Sequence, residues 1–383
     1  MMTPLFPPAM LGLIGGGQLG RMFTMAAKTM GYRVMVLEPD PKSPAGSIAD
    51  VHLCAPYDDP TALETLARES RAVTTEFENV PASVLDHLAQ WVRVAPPAAA
   101  VSIAQDRLRE KAFLTGAGLE VAPYLAVEGS EALERDLSPW LPGLLKVARF
   151  GYDGKGQRRV TSREEVQKAF RDFGEQACVL ERQLELEMEL SVIVARTGPG
   201  ELITYPVAEN QHVNGILDLS LVPARITEEI AARAQHIALT IVEALNYIGV
   251  MGVELFVTRP QTLMVNEIAP RPHNSGHFTL DATLSSQFDQ QVRTLCGWPP
   301  LEPRLLSAAA MINLLGDLWG DSEPDWSVLA NEPRALLHLY GKEIARPGRK
   351  MGHINLLADN VETALLAVRA LQHALPAKAS SQR

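Results

Sequence analysis

Glu254 and Glu267 are the residues whose types and placement point most directly to chemistry. Residues 250–258 (VMGVELFVT) and 262–268 (TLMVNEI) are rich in β-forming side chains, and the Arg-Pro-Gln run between them has the composition of a tight hairpin turn. With the turn centred between Pro260 and Gln261, position 254 falls opposite 267. Two facing carboxylates in apolar strands repel each other and lose hydration, a costly arrangement unless a cation lies between them. A hard divalent ion such as Mg²⁺ suits these oxygen donors, and Asn266 adds another. The hairpin alone also allows a plainer arrangement, with one glutamate solvated on the open face of an antiparallel sheet. The chain then continues Ile-Ala-Pro-Arg-Pro-His-Asn-Ser-Gly-His, gathering Arg271, His273, Asn274 and His277 on a backbone restrained by prolines.

Three further stretches carry candidate chemistry. Gly15-Gly16-Gly17-Gln18-Leu19-Gly20 matches a dinucleotide fingerprint in strand-turn-helix context, with Glu38 ending the second strand as the acid that would hold a ribose. Such a turn can equally hold another phosphorylated ligand, or none. Gly151-Tyr152-Asp153-Gly154-Lys155-Gly156-Gln157 lies between two strands, which excludes the usual P-loop. A glycine-rich hairpin of this kind can fold over a triphosphate, with Lys146 and Lys155 adding positive charge; a simple flexible turn would explain the glycines but not the charges. Finally, Lys342, Arg346, Arg349 and Lys350 place four cations within nine residues of an acidic chain, around Pro347 and Gly348. That run is suited to a small phosphorylated substrate, the alternative being a solvated basic loop. A glycine hairpin, a lysine before it and paired acids after it make an Mg-ATP site, which a dehydrogenase would not need.

The elements that must position these groups follow from pattern. Residues 10–95 alternate strand and helix, which implies a parallel, doubly wound sheet. Ser102 with Gln105 is expected to cap a helix running to about Gly116. Residues 119–184 show short strands and one helix opened by Ser162 and Glu165. Residues 185–300 show further strands, with LITYPVAE (202–209) as one of them, a helix over about 228–247, and the glutamate hairpin. A helix from about Val361 precedes a polar tail expected to be mobile after Pro376. The expected units are 1–104, 105–184 and 185–383: a Rossmann-like α/β domain, a small α+β lid, and a larger α+β domain ending in a small β-rich part.

The chain has 383 residues, 46% hydrophobic and 21% charged, enough for two or three ordinary soluble domains. A net charge of −10 argues against a general nucleic-acid binder. Cys54, Cys178 and Cys296 lack disulfide or zinc spacing and fit a reducing, cytoplasmic compartment. The apolar N-terminal stretch reads as a first strand rather than a signal peptide, and no apolar run approaches membrane-spanning length.

GGGQLGRM (15–22), TEFENV (75–80), GYDGKGQ (151–157), ENQHVNGIL (209–217), NEIAPRPHNSGH (266–277) and RPGRKMGHINL (346–356), in this order, resemble the N5-carboxyaminoimidazole ribonucleotide synthetase family of the ATP-grasp superfamily. The resemblance implies an ATP-grasp fold with a Rossmann-like first domain that binds the acceptor rather than NAD. It implies a ligase reaction in which ATP, bicarbonate and 5-aminoimidazole ribonucleotide give the N5-carboxy product, ADP and phosphate through carboxyphosphate. By resemblance, nucleotide contacts fall on Arg107, Lys146, Gly151, Tyr152, Asp153, Gly154, Lys155, Gly156, Gln157, Glu181, Arg182, Gln183, Leu184, Glu189, His212, Asn266 and Glu267. Mg²⁺ ligation falls on Glu254 and Glu267, and catalysis with bicarbonate on Asp153, Lys350 and Arg271. Acceptor contacts fall on Gln18, Leu19, Glu76, Tyr152, Arg271, His273, Asn274, Lys342 and Arg349, and the implied assembly is a homodimer. Competing expectations are a formate-dependent glycinamide ribonucleotide transformylase, an NAD-dependent oxidoreductase built on GGGQLG, and a binding module without catalysis.

Overall fold

The computed structural model describes residues 3–149, 151, 156–259, 261–320 and 322–375. Within them the N-terminal unit runs β1 (Met10–Ile14), α1 (Gln18–Thr29), β2 (Arg33–Leu37), β3 (Val51–Leu53), α2 (Pro60–Glu69), β4 (Ala72–Thr75), α3 (Ala82–Ala89), β5 (Arg93–Val94) and α4 (Ala98–Ala104). Its strands pair in parallel in the order β3-β2-β1-β4-β5. Strands β1 and β2 are buried almost without alternation, as expected when helices cover both faces. The chain reverses its direction of winding between β1 and β4, so a crevice opens at their carboxyl ends, where the glycine turn and Glu76 lie.

Helix α5 (Arg107–Gly116) leads out of this unit. The Ser102–Gln105 cap expected for it does not form, because Ser102 lies inside α4 and the break comes at Asp106. The Asp106 carboxylate accepts from the amides of Leu108 at 3.0 Å and Arg109 at 3.4 Å. It caps more strongly than a serine because a charged acceptor reaches two orphan amides. Gln105 instead donates to the carbonyls of Glu78 and Val80, at 2.6 and 2.7 Å, tying down the loop after β4.

A small module follows: β6 (Tyr124–Val127), β7 (Gly143–Val147), β8 (Gln157–Val160), α6 (Arg163–Asp172) and β9 (Cys178–Arg182), with sheet order β6-β9-β7-β8. Ser162 caps α6 by accepting from the Glu165 amide, as the sequence suggests.

The remainder builds one large antiparallel sheet. Its elements are β10 (Leu186–Gly198), β11 (Glu201–Thr204), β12 (Ala208–Val213), β13 (Ile216–Val222), α7 (Glu228–Ala244), β14 (Gly249–Thr258), β15 (Thr262–Ala269), α8 (Thr279–Ala282), α9 (Gln287–Cys296), β16 (Ala308–Leu315), β17 (Ala335–Leu339), β18 (Lys350–Ala358) and α10 (Val361–Ala374). The strand expected at 202–209 is divided between β11 and β12, with Pro206, which has no amide to donate, in the break. The sheet order is β15-β14-β10-β12-β13-β16-β18-β17, with β11 beside β10. The C-terminal strands therefore extend the same sheet through β13 and β16, which brings Lys350, at the start of β18, toward the glutamate hairpin. Helix α7 covers one face over a core of Leu190, Val192, Val253 and Leu255.

Because α5 carries Arg107 at its first turn, its cap also positions the site. Asp106→Ala is expected to lower stability by about 1 kcal/mol in urea unfolding, and an unchanged midpoint would show that Asp106 does not cap α5.

Candidate active site

Strands β14 and β15 set Glu254 opposite Glu267, but not for the reason the simple register suggests. Thr258 pairs with Thr262, so the turn is centred on position 260, outside the described residues, and that register would bring Glu254 against Asn266. The register shifts by one between Leu255 and Glu254. Asn266 is the extra residue of a β-bulge, a device that re-aims side chains, and it lies with Glu267 against Glu254. The Asn266 amide donates to Glu254 Oε2 at 3.2 Å.

Each carboxylate of the pair has its own partner. His273 Nε2 lies 3.2 Å from Glu254 Oε1, and Arg107 Nη1 lies 3.1 Å from Glu267 Oε2. Burial would raise the Glu254 carboxyl, yet His273 and then His212 hold it down to about 2. Beneath them Glu110, buried on α5 and bonded to the Ile268 amide at 2.7 Å, is pushed up to about 8 by burial and by the nearby Glu267 charge. Glu254, Asn266 and Glu267 together bring the kind of oxygen donors that a hard divalent cation favours. Among the described residues no cluster of three or more His, Cys, Asp or Glu could hold a metal alone. A cation here would need ligand oxygens as well, which is how Mg²⁺ binds with phosphates.

The pair lies on one wall of a cavity of about 1000 Å³ that runs between all the units described above. Its lining includes Arg107, Lys146, Gly151, Gln157, Glu189, His212, Glu254, Asn266 and Glu267 at one part. Gln18, Leu19, Glu76, Arg271, His273, Asn274, Lys342, Arg349 and Lys350 line the rest. Of the nucleotide residues proposed by resemblance, Glu181 stands behind this wall. It is paired with Lys146 at 2.7 Å and with the buried Lys111 at 3.0 Å, and these charges overcome burial to hold its carboxyl at about 2. Arg182, Gln183 and Leu184 follow at the exit of β9, exposed or half-buried, and Gly156 precedes β8. Tyr152, Asp153, Gly154 and Lys155 lie outside the described residues, as does the tail from Pro376. The Glu189 carboxylate, with Glu254, holds the His212 imidazole above its ordinary value although burial opposes it.

At the other end, the glycine turn is filled by the protein's own carboxylates. Glu76 accepts from the amides of Gly17 and Gly20, both at 2.6 Å, and Glu38 accepts from Gly16 at 2.8 Å and from the Tyr57 hydroxyl at 2.6 Å. A Cβ at Gly17 would stand 2.4 Å from Glu76 Oε1. The glycines thus admit Glu76, where a dinucleotide fold would admit a pyrophosphate. Burial pushes Glu76 up to about 7 despite these two donors. Lys342 donates to the Lys350 carbonyl at 2.7 Å and Arg349 to the Ile344 carbonyl at 2.7 Å, so the basic run is a shaped loop. Both polar atoms of the Asn274 amide are buried with no hydrogen-bond partner among the described residues.

Three lining or supporting residues were not singled out from sequence, and a fourth, Arg346, was singled out only as a member of the basic run. Glu78, inside the TEFENV stretch, grips Arg271 through two bonds, one of them Nη2 to Oε1 at 3.0 Å. Glu110 lies one helical turn after Arg107, a spacing that puts both on one face of α5. Lys111 is Glu181's second counter-ion, and Arg346 lines the cavity from the basic loop.

Residues 112–288 match the ATP-grasp domain family, residues 9–105 the ribonucleotide synthetase preATP-grasp domain and residues 309–366 the phosphoribosylaminoimidazole carboxylase C-terminal domain. The chain is 46% identical to N5-carboxyaminoimidazole ribonucleotide synthase of Brucella melitensis, over 92% of this chain and 97% of that one. A solved ADP complex of an N5-carboxyaminoimidazole ribonucleotide synthetase superposes with a TM-score of 0.91 at 41% identity, covering 97% of this chain and 98% of the other. An Aspergillus clavatus enzyme solved with ADP and 5-aminoimidazole ribonucleotide gives 0.87 at 30% identity, covering 97% and 99%.

The Glu78–Arg271 pair has a pH signature. Burial alone would raise Glu78, but Arg271 holds it near 2 against an ordinary value of 4.5. Its contribution is therefore fully present above about pH 4.5 and is lost as pH falls toward 2. Glu78→Gln is expected to be less stable than the parent at neutral pH, with the gap closing across that window in acid denaturation. A gap independent of pH would contradict the pairing.

Proposed function

The chain belongs to the N5-carboxyaminoimidazole ribonucleotide synthase family, and on that premise we propose that bicarbonate is the carbon source and that this cavity holds all three reactants at once. The protein is an ATP-grasp ligase that carboxylates 5-aminoimidazole ribonucleotide at the expense of ATP, in purine biosynthesis. The observation that carries the fuller reading is the joining of two unlike regions in one cavity. One pairs Arg107 and Lys146 with the Glu254, Asn266 and Glu267 oxygens; the other gathers Lys342, Arg346, Arg349 and Lys350 near Glu76 and Arg271.

The first region suits a nucleotide. Lys146 and Arg107 would face its phosphates, the segment Glu181–Leu184 and Glu189 and His212 would contact the rest, and residues 151–157 would supply further contacts to it. Glu254 and Glu267, with Asn266, would hold Mg²⁺, which when bound neutralises phosphate charge. The second region suits the acceptor: the basic loop its phosphate, Glu76 and the Gln18–Leu19 turn its ribose, with His273 and Asn274 nearby.

Chemistry requires that bicarbonate be activated, because its carbon is a poor electrophile with no good leaving group. A bicarbonate oxygen attacks the γ-phosphorus of ATP, ADP departs, and carboxyphosphate forms. The exocyclic amine of the acceptor then takes up the CO₂ unit with release of phosphate and of the amine proton. Arg271, whose charge acts on both Glu267 and Glu76, and Lys350, whose charge acts on His212, would stabilise the anions involved, with Asp153 proposed as the third catalytic group. Shielding from water would preserve the mixed anhydride until the amine captures it. Among the described residues no helix is long and apolar enough to cross a membrane; we place the enzyme in the cytoplasm as a homodimer.

The test is ADP release with each acceptor in turn. Release should require 5-aminoimidazole ribonucleotide and bicarbonate together; release that instead requires formate and glycinamide ribonucleotide would replace this reading with the transformylase. Lys350→Ala should retain ATP binding and lose product formation by about 10²-fold or more, and unchanged turnover would remove Lys350 from the mechanism.

A further inference from the structure

A chain of buried polar side chains runs away from the active site beneath the large sheet. Ser220 Oγ on β13 donates to Asn210 Oδ1 on β12 at 2.7 Å, and Asn210 Nδ2 donates to Ser191 Oγ on β10 at 2.9 Å. Ser191 Oγ donates to Ser275 Oγ at 2.7 Å, and Ser275 Oγ meets His273 Nδ1 at 2.8 Å. His273 Nε2 then faces Glu254 Oε1 at 3.2 Å. Ser191, Asn210, Ser220 and Ser275 are each at most 4% exposed, and none lines the cavity. Polar groups buried this deeply are costly unless paired. Their contact with no ligand surface leaves their role to be found in what they hold.

We propose that this relay fixes the His273 ring with Nδ1 as acceptor and a proton on Nε2, aimed at Glu254, so that Ser191, Asn210, Ser220 and Ser275 are positioning residues for the carboxylate pair. The polarity follows from donor counting. The Asn210 amide can donate only through nitrogen, so Ser191 receives its proton and must pass its own to Ser275. Ser275 in turn passes its hydroxyl proton to Nδ1. The Ser275 backbone amide, which can only donate, lies 3.4 Å from Nδ1 and adds weakly to the same polarity without fixing it. With Nδ1 an acceptor, the ring proton sits on Nε2 and donates to Glu254.

The ring is held from other sides too. Gln287 accepts from the His273 amide and donates to its carbonyl, both at 2.8 Å. Gly252 on β14 lets the ring approach, since a Cβ there would stand 2.5 Å from His273 Cβ. With His273 on Oε1 and Asn266 on Oε2, Glu254 is oriented at both of its oxygens toward a cation. This consequence rests on the proposed metal role of Glu254; the tautomer does not. Residues that orient a metal ligand through a hydrogen bond in this way typically change metal affinity by about 10–100-fold.

The experiment uses the full chain labelled with ¹⁵N-histidine. Long-range ¹H–¹⁵N spectra in mildly alkaline buffer, with His273 assigned by its loss in His273→Gln, report which ring nitrogen carries the proton. The proposal expects Nε2 in the parent. Asn210→Asp, nearly isosteric, takes the proton of Ser191 and reverses the relay; it should move the ring away from the Nε2–H form and weaken Mn²⁺ binding in the presence of ADP, followed by electron paramagnetic resonance, by about 10-fold. A parent proton on Nδ1, or an Asn210→Asp ring unchanged in tautomer, overturns the relay whatever the Mn²⁺ affinity does. If Asn210→Asp fails to fold, the parent spectrum alone decides, since a proton on Nδ1 there already overturns the relay. A shifted tautomer with unchanged Mn²⁺ affinity, repeated in Glu254→Gln, would leave the relay standing and remove the metal role.

Discussion

Buried carboxylates that cannot be left without a partner are the constraint on which the rest of this structure depends. Glu254 and Glu267 face each other across β14 and β15, and Glu110 lies close beneath them. Glu181 is buried, and Glu78 and Glu76 are half-buried, within a few elements of the same cavity. Each solves the problem with a different partner: Arg271 for Glu78, two lysines for Glu181, helix-terminal amides for Glu76, Arg107 for Glu267. The partners come from separate units of the chain, so satisfying the charges also docks those units together. The Glu78–Arg271 grip ties the parallel sheet to the exit of β15, and Arg107 ties α5 to the hairpin. Stability and site geometry therefore rest on the same ion pairs, although buried pairs of this sort contribute more to register than to net stability.

The glycine turn after β1 shows how one local geometry serves another purpose. A helix N-terminus stabilises an anion, and in a dinucleotide fold the anion is a ligand. Here it is the Glu76 carboxylate, brought in from the end of β4 by the parallel pairing of β1 and β4. The turn keeps its glycines because they make room for that side chain. The crevice at the switch point is thereby given an acidic, hydrogen-bonding floor suited to hydroxyl groups opposite the basic loop.

Much of this was legible in the sequence where the signal is local. The parallel sheet, the Ser162 cap, Lys146 ahead of a glycine hairpin and the clustered cations of 342–350 all follow from residue type and spacing. The facing of Glu254 and Glu267 was legible too, but through a compensating displacement: the turn is centred half a residue earlier than its composition suggests, and the Asn266 bulge restores the pairing. Bulges leave little trace in a sequence. What stayed hidden depends on contacts far apart in the chain. Helix α9 buries Gln287, Gln290, Gln291 and Thr294 beside Phe288, Val292, Leu295 and Cys296, so polar residues interrupt the apolar face that would mark it. Ser191, Asn210, Ser220 and Ser275 are ordinary polar residues until three strands and a turn align them. The Glu78–Arg271 grip spans 193 positions and could not be read from either residue alone.

The central claim is that Glu254 and Glu267 together hold the divalent cation that accompanies the nucleotide. Anomalous diffraction from crystals grown with Mn²⁺ and ADP tests it directly. The account predicts a metal peak within about 2–2.5 Å of a carboxylate oxygen from both glutamates. A well-occupied peak beside bound ADP that touches neither residue would contradict it.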